Sequence, residues 1–324
     1  MNRRQFLLTG VLFLPGFVLA AGGDAWSDDT PGVVRLTVRN AAEIRILQLT
    51  DLHFFSRDPS TWEVFNARTT KQIRALTEHA RPDLIVITGD VWSENANGSG
   101  EAQLRYAVEQ FAGLGVPWAF TWGNHDQVSD RARADAILRE APNSLYRGDA
   151  GDGHYRIDLL DSTRRLLWQL LLIDTGREGL VGPRREWVRR LPPTAAPRLA
   201  FFHIPLKQYA EVWDDGRAVG IWGEPPCFEQ EDGGALKVLR EAGVVACFCG
   251  HDHMNDYSGQ AEGVELVYGR VSRAGGYGSD TFEKGGKLII LDSVNRTCTW
   301  QSMTPNGRTW HPAPGERQVM TETH

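Results

Sequence analysis

The chain has 324 residues, 41% of them hydrophobic and including 11 tryptophans, with a formal charge of −6 near neutral pH. That is ample material for a sizeable core, and the length suits one large domain or two ordinary ones. The acidic balance, which deepens if Arg3 and Arg4 leave with a leader, excludes a general nucleic-acid scaffold, since that would present a basic face.

Residues 1–20 read as an export signal. Arg3-Arg4 precede an apolar run from Phe6 to Ala20, and Val18-Leu19-Ala20 offers a cut ahead of Ala21. The run is too short for a comfortable membrane span and contains Gly10, Pro15 and Gly16. Asn2-Arg3-Arg4-Gln5-Phe6-Leu7 resembles a twin-arginine signal, which exports folded proteins; an ordinary secretory signal is the alternative. Both predict a periplasmic or secreted protein without a stable membrane anchor. Residues 21–31 then form a polar linker, residues 32–308 the folded domain, and residues 309–324 a loose polar tail.

Strand and helix signals alternate through the domain. An apolar strand at Ile44–Leu49 is followed by a helical pattern over residues 66–79 built on Ile73, Ala75 and Leu76. A strand at Leu84–Ile87 precedes a helix over residues 101–114, with Leu104, Ala107, Val108 and Phe111 on one face and Ser99 or Gly100 at its start. After an apolar run at residues 117–120, Ser129 caps a short helix reaching Leu138. Tyr155–Leu160 and Leu166–Ile173 read as adjacent strands, and Pro183 opens a helix containing Trp187 and Val188. Further apolar runs fill residues 199–202 and 244–248, separated by a loop over residues 207–228 and a helix over residues 234–242. Strands near Val264–Tyr268, residues 288–291 and residues 297–300 close the domain. Alternating units with a strand-rich end predict a layered α/β protein with mixed sheets. Cys247 and Cys249 share one strand face and are expected to pack as small hydrophobes, while a Cys227–Cys298 disulfide is one of several open pairings.

Five of the nine histidines sit in five short motifs, each placed just after an apolar run. They are Asp51-Leu52-His53, Gly89-Asp90, Gly123-Asn124-His125-Asp126, His203 and Gly250-His251-Asp252-His253. Strands that end in metal-ligating residues deliver them to one rim of a sheet, where ligands of open α/β sheets gather. Imidazole, carboxylate and amide donors in that number suit two divalent ions, which together clamp the oxygens of a phosphoryl displacement.

The order of these motifs resembles the calcineurin-like metallophosphoesterase superfamily, and its context is similar to the purple-acid-phosphatase-like phosphatases of plants and fungi. The likeness rests on residues 82–90, 122–127, 202–206 and 250–256 and extends over residues 43–292. It implies an αββα sandwich of two mixed sheets flanked by helices. It also implies that Asp51, His53 and His253 hold one metal, that Asn124, His203 and His251 hold the other, and that Asp90 bridges them. The metals would be manganese, iron or zinc. The implied activity is hydrolysis of a phosphate monoester, or of a diester in the alternative, by a metal-bound hydroxide. A binding protein without catalysis would need a broken position, and His125, expected to contact the phosphoryl group or protonate the leaving group, is present. Asp126 or Asp256 is expected to orient a histidine, and Asp252 to stand close behind the site.

The chain also departs from those relatives. Purple acid phosphatases carry a tyrosine three residues after the bridging aspartate, where this chain has Ser93, and they lack a histidine at the place of His53. The expected partner is a small phosphorylated substrate, selected by the loops between motifs, including residues 92–100 and Gly275-Gly276-Tyr277-Gly278. His79, His154, His311 and His324 read as surface residues. Arg270 and Arg273 read as solvated, with a substrate phosphate as the alternative partner.

Overall fold

The computed structural model describes residues 30–56, 59–148, 152–277 and 282–320. The export signal and most of the linker lie outside the described residues. No described helix is long and apolar enough to cross a membrane.

In chain order the strands and helices are β1 (Val33–Thr37), β2 (Ile44–Leu49), α1 (Trp62–Ala80), β3 (Leu84–Ile87), α2 (Gly100–Ala112), β4 (Trp118–Phe120) and α3 (Arg131–Glu140). Then come β5 (Tyr155–Leu160), β6 (Leu166–Ile173), α4 (Pro183–Arg189), β7 (Arg198–Phe202), α5 (Lys207–Asp214), β8 (Ala218–Trp222) and α6 (Gly234–Glu241). The chain closes through β9 (Val244–Cys249), β10 (Asp256–Ala261), β11 (Val264–Tyr268), β12 (Gly286–Asp292), β13 (Thr297–Met303), β14 (Thr309–Trp310) and β15 (Arg317–Val319). They form a nine-stranded sheet, β1-β5-β6-β7-β9-β11-β10-β8-β15, and a six-stranded sheet, β14-β13-β12-β2-β3-β4. Both are mixed, and helices flank the pair, giving the αββα sandwich that the resemblance implied.

The apolar runs explain the layering. On β6, Leu170 and Leu172 join the core between the sheets, while Leu171 and Ile173 face the outer core against α5 and α6. On β7, Leu199 and Phe201 point inward and Ala200 and Phe202 outward. A strand covered on both faces reads as an unbroken apolar run, which is why these segments lack polar alternation. Cys247 and Cys249 lie together in the outer core, and all four cysteines are free, so the Cys227–Cys298 bridge is not formed.

Several local expectations are corrected. The helix after the third motif is capped by Asp130, whose side chain accepts from the Arg133 N–H, and not by Ser129. Residues 207–228 are not one loop: they hold α5 and β8, with Tyr209 and Trp213 buried against the nine-stranded sheet. The stretch read as a loose tail supplies β14 and β15, and β15 pairs in parallel with β8. His154 is buried, its Nδ1 accepting from the Asp174 N–H at 3.1 Å, because the strand after it carries it into the core.

Arg270 and Arg273 are buried as well. Arg270 Nε donates to Asp256 at 2.6 Å, and Arg273 donates to Ser56 Oγ at 2.9 Å. Asp256 on β10 also accepts from Lys287 on β12 and Ser302 on β13, so it bolts one sheet to the other and orients no histidine.

Candidate metal centre

The five motifs follow the C-terminal ends of β2, β3 and β4 in one sheet and of β7 and β9 in the other. Within each group those strands run parallel to one another, so all five turns open on the same rim. The turns are tight: Asp51, His53, Asp90 and His251 have φ of 53°, 44°, 51° and 82°, in the left-handed region that non-glycine residues seldom occupy. Backbone strain at several residues of one cluster persists only where surrounding structure over-determines it. The motif glycines permit the close approach. A Cβ on Gly89 would lie 2.7 Å from the Gly123 Cα, and one on Gly123 would lie 2.2 Å from Asp90 Oδ1.

All seven side chains expected as ligands meet at this rim, in two adjoining clusters. In the first, His53 Nε2 and His253 Nε2 are 3.1 Å apart, and they stand 3.8 and 3.4 Å from Asp51 Oδ1. In the second, His203 Nε2 lies 2.9 Å from Asn124 Oδ1, 3.1 Å from His251 Nδ1 and 3.2 Å from Asp90 Oδ2. Asp90 Oδ2 is also 3.6 Å from His53 Nε2, which puts this carboxylate between the clusters.

The donor set fits cations. Donors about 2.1 Å from a tetrahedral ion keep roughly 3.4 Å between themselves, close to the spacings found here. Asp51 Oδ1 and His253 Nδ1 are buried without a hydrogen-bond partner, and the Nε2 atoms of His53 and His253 face each other at 3.1 Å beside Asp51, an arrangement of donor atoms that one shared cation would satisfy. His203 Nδ1 donates to the Thr88 carbonyl at 2.8 Å, which leaves the Nε2 lone pair to face the cluster. Asp51 is held by Thr50 Oγ1 at 2.6 Å and by the His251 N–H at 3.0 Å, both on Oδ2.

Electrostatics point the same way. Burial works against the charged forms of Asp51 and Asp90, yet the neighbouring histidines keep both carboxyls well below the usual range. Burial pushes His53 down to about 3 and His251 down to about 4, so both rings are neutral donors. His203 goes the other way: burial is outweighed by Asp90, which lifts it to about 10. A buried imidazole that attracts a proton so strongly stands where a cation would be equally stabilised.

His125 lies at the open edge, its side chain 39% exposed and its ring centroid 5.3 Å from that of His53. Its backbone N–H donates to Asp90 Oδ1 at 2.8 Å, which ties it to the central carboxylate. The carboxylate beside its ring is Glu94, 3.6 Å from Nδ1, and not Asp126 or Asp256. Sequence reasoning missed Glu94; its place four residues after Asp90, in a turn directly after the motif, was the available signal. Asp126 instead accepts from the N–H groups of Val91, Trp92 and Gly123, locking two ligand loops together. Burial, with Asp90 nearby, pushes its carboxyl up to about 7. Asp252 accepts from Tyr268 Oη at 2.7 Å and from the Cys227 N–H, and burial raises it to about 8. Glu229, also missed, places Oε1 3.9 Å from the outer nitrogen of His251.

Strand-end motifs converging as two donor clusters above an αββα sandwich define a class, the dimetal phosphoesterases. Residues 44–255 match the model of the calcineurin-like phosphoesterase family, and the chain belongs to that family. It is 27% identical over 319 residues to an Arabidopsis thaliana protein named probable inactive purple acid phosphatase 28, covering 83% of this chain and 80% of that one. It is 28% identical over 314 residues to an uncharacterised protein of Schizosaccharomyces pombe, covering 86% of this chain but only 58% of the longer yeast protein. Among solved structures it is similar to a dimetal phosphatase from Danio rerio, at 14% identity and a TM-score of 0.49, covering 79% of this chain and 98% of that one.

Proposed function

We propose that this chain is an exported phosphomonoesterase that uses two divalent ions, manganese, iron or zinc, and acts on a small phosphorylated molecule. The observation that carries the reading is His125: a half-exposed imidazole at the mouth of two complete donor clusters, anchored through Asp90. Asp51, His53 and His253 would hold one ion and Asn124, His203 and His251 the other, with Asp90 shared. When bound, such ions neutralise phosphoryl charge and make water nucleophilic near neutral pH. The protein's own residues do the rest. Asp126 keeps the Asp90 and Asn124 turns in register, and Thr88 fixes the His203 tautomer. His125 gives a proton to the leaving-group oxygen, and Glu94 orients its ring. The export reading rests on residues 1–20 alone.

The test is turnover of a chromogenic monoester and a chromogenic diester by the metal-loaded protein. The expected result is monoester hydrolysis that stops on chelation. Turnover of the diester alone would replace this reading by a phosphodiesterase, and no turnover with two ions bound would make the chain a metal-binding protein.

A further inference from the structure

His253 is held differently from His203. A metal-ligating imidazole usually fixes its ring by donating its other N–H to a carboxylate or carbonyl, as His203 does to Thr88. His253 turns Nε2 to the centre, 3.1 Å from His53 Nε2 and 3.4 Å from Asp51 Oδ1, while its buried Nδ1 has no hydrogen-bond partner. No bond of that kind sets the plane of its ring.

What faces the ring instead is Tyr277. The two rings stack with centroids 4.6 Å apart and planes 13° from parallel, within the range of attractive aromatic pairs. The tyrosine is itself fixed at both ends. Its hydroxyl donates to the Glu224 carboxylate, 3.2 Å from both oxygens, and accepts from the His253 N–H at 3.4 Å. Glu224 Oε1 also accepts from the Met254 N–H at 2.7 Å, and the Glu224 backbone exchanges hydrogen bonds with the fully buried Asn255 side chain. The buried Lys284 ammonium donates to the carbonyls of Tyr277 and His253, at 3.1 and 3.4 Å. Gly275 and Gly276, at φ 90° and 95°, make the turn that delivers the tyrosine, and a Cβ on Gly276 would press within 2.8 Å of the Arg273 guanidinium.

The structure assigns Tyr277 as a positioning residue of the metal centre, anchored by Glu224, whose ring face keeps His253 Nε2 aimed at the place shared with Asp51 and His53. Swinging the imidazole out of its plane would carry Nε2 off that place, and the tyrosine blocks the swing on one face. The stack also favours the loaded state. An imidazole that gives its lone pair to a cation becomes electron-poor and is drawn more strongly to the electron-rich face of a phenol. Tyr277 thus does by stacking what Thr88 does for His203 by a hydrogen bond. The inference rests on the two-ion part of the proposed function and not on the monoester, since the property at stake is how firmly one ion is held.

The test equilibrates zinc-loaded protein against a graded series of zinc–chelator buffers and counts zinc per chain, with no reliance on turnover. Tyr277 is 40% exposed, so replacing it opens no void in the core. Tyr277→Leu, which keeps bulk without an aromatic face, should release one ion per chain at a free-zinc concentration about 10–100-fold above that of the wild type. The other ion should be held as in the wild type, which a general loss of stability would not spare. Tyr277→Phe keeps the face and should restore most of the retention. Should the leucine variant fail to fold, Glu224→Ala, which frees the tyrosine from its anchor, should loosen one ion in the same way, and unchanged retention there would overturn the proposal. Wild-type retention of both ions in Tyr277→Leu, loss of both together, or a phenylalanine variant no better than the leucine one would also overturn it. A wild-type chain that takes up no zinc would instead sink the two-ion reading itself.

Discussion

Asp256→Asn should destabilise the protein without removing a metal-ligating atom. Asp256 and Lys287 are fully buried and Arg270 is 7% exposed, and the carboxylate joins Arg270, Lys287 and Ser302 across the two sheets. An amide offers one acceptor and turns N–H groups toward the donors, leaving the Lys287 ammonium without a counter-charge. Breaking one partner of a buried pair costs about 3–5 kcal/mol. At roughly 2–4 °C per kcal/mol for a chain of moderate size, the thermal midpoint should fall by about 6–20 °C. Acid dependence gives a second readout. Burial opposes the charge on Asp256, yet Lys287 and Arg270 hold its carboxyl below the ordinary value. A depressed native pKa contributes stability that is complete above the unfolded value of about 3.9 and is lost as pH falls through the native value. The gap between wild type and variant, measured by urea unfolding, should therefore be constant from about pH 7 to 5 and narrow below about pH 4. Adding Lys287→Met should return part of the loss, since it removes the uncompensated charge. Equal midpoints at pH 7 would refute the reasoning.

Further outcomes follow from the metal centre and the leader. Asp90→Asn should lose hydrolysis and bind fewer ions per chain, because an amide bridges two cations poorly; two ions with unchanged turnover would remove Asp90 from the centre. His125→Ala should keep its metal while losing about 10²–10⁴ in rate, as expected of a proton donor, and metal loss would place it among the ligands instead. The purified protein should lack a tyrosinate-to-iron visible band, since Ser93 stands where the purple acid phosphatases carry their tyrosine, and Tyr277 stacks on His253 with ring centroids 4.6 Å apart while its hydroxyl meets Glu224. A purple protein would require a tyrosine in the centre. Changing Arg3 and Arg4 together to lysine should trap the chain in the cytoplasm, and undiminished export would favour the ordinary secretory route.

Much of this protein was legible in one dimension because its chemistry is local. An apolar run followed by a short turn of Asp, His, Asn and Gly states both the strand and what the strand delivers. Five such units therefore announce the rim, and the family resemblance picks out from them the seven donors that meet on it. The helices between them follow from spacing within a single turn, and Cys247 and Cys249 share a face because strand residues two apart must. The layer order follows less directly, since alternating units predict mixed sheets without saying which strands are neighbours.

What only the tertiary structure decided depends on partners distant in sequence. Asp256 sits three residues from His253 and reads as a neighbour of the metals, but its partners lie on β12 and β13 and make it a bolt between sheets. Asp126 adjoins His125 yet spends its oxygens on backbone N–H groups of its own turn and of the turn after Asp90, while Glu94, from that second turn, takes the place beside the histidine ring. Residues 207–228 read as one loop until α5 packs Tyr209 and Trp213 against the nine-stranded sheet, and residues 317–319 look like tail until β8 offers them an open edge. A carboxylate or an aromatic ring has no role of its own. Burial and the nearest donor assign one, and both are set by how the two sheets close on each other.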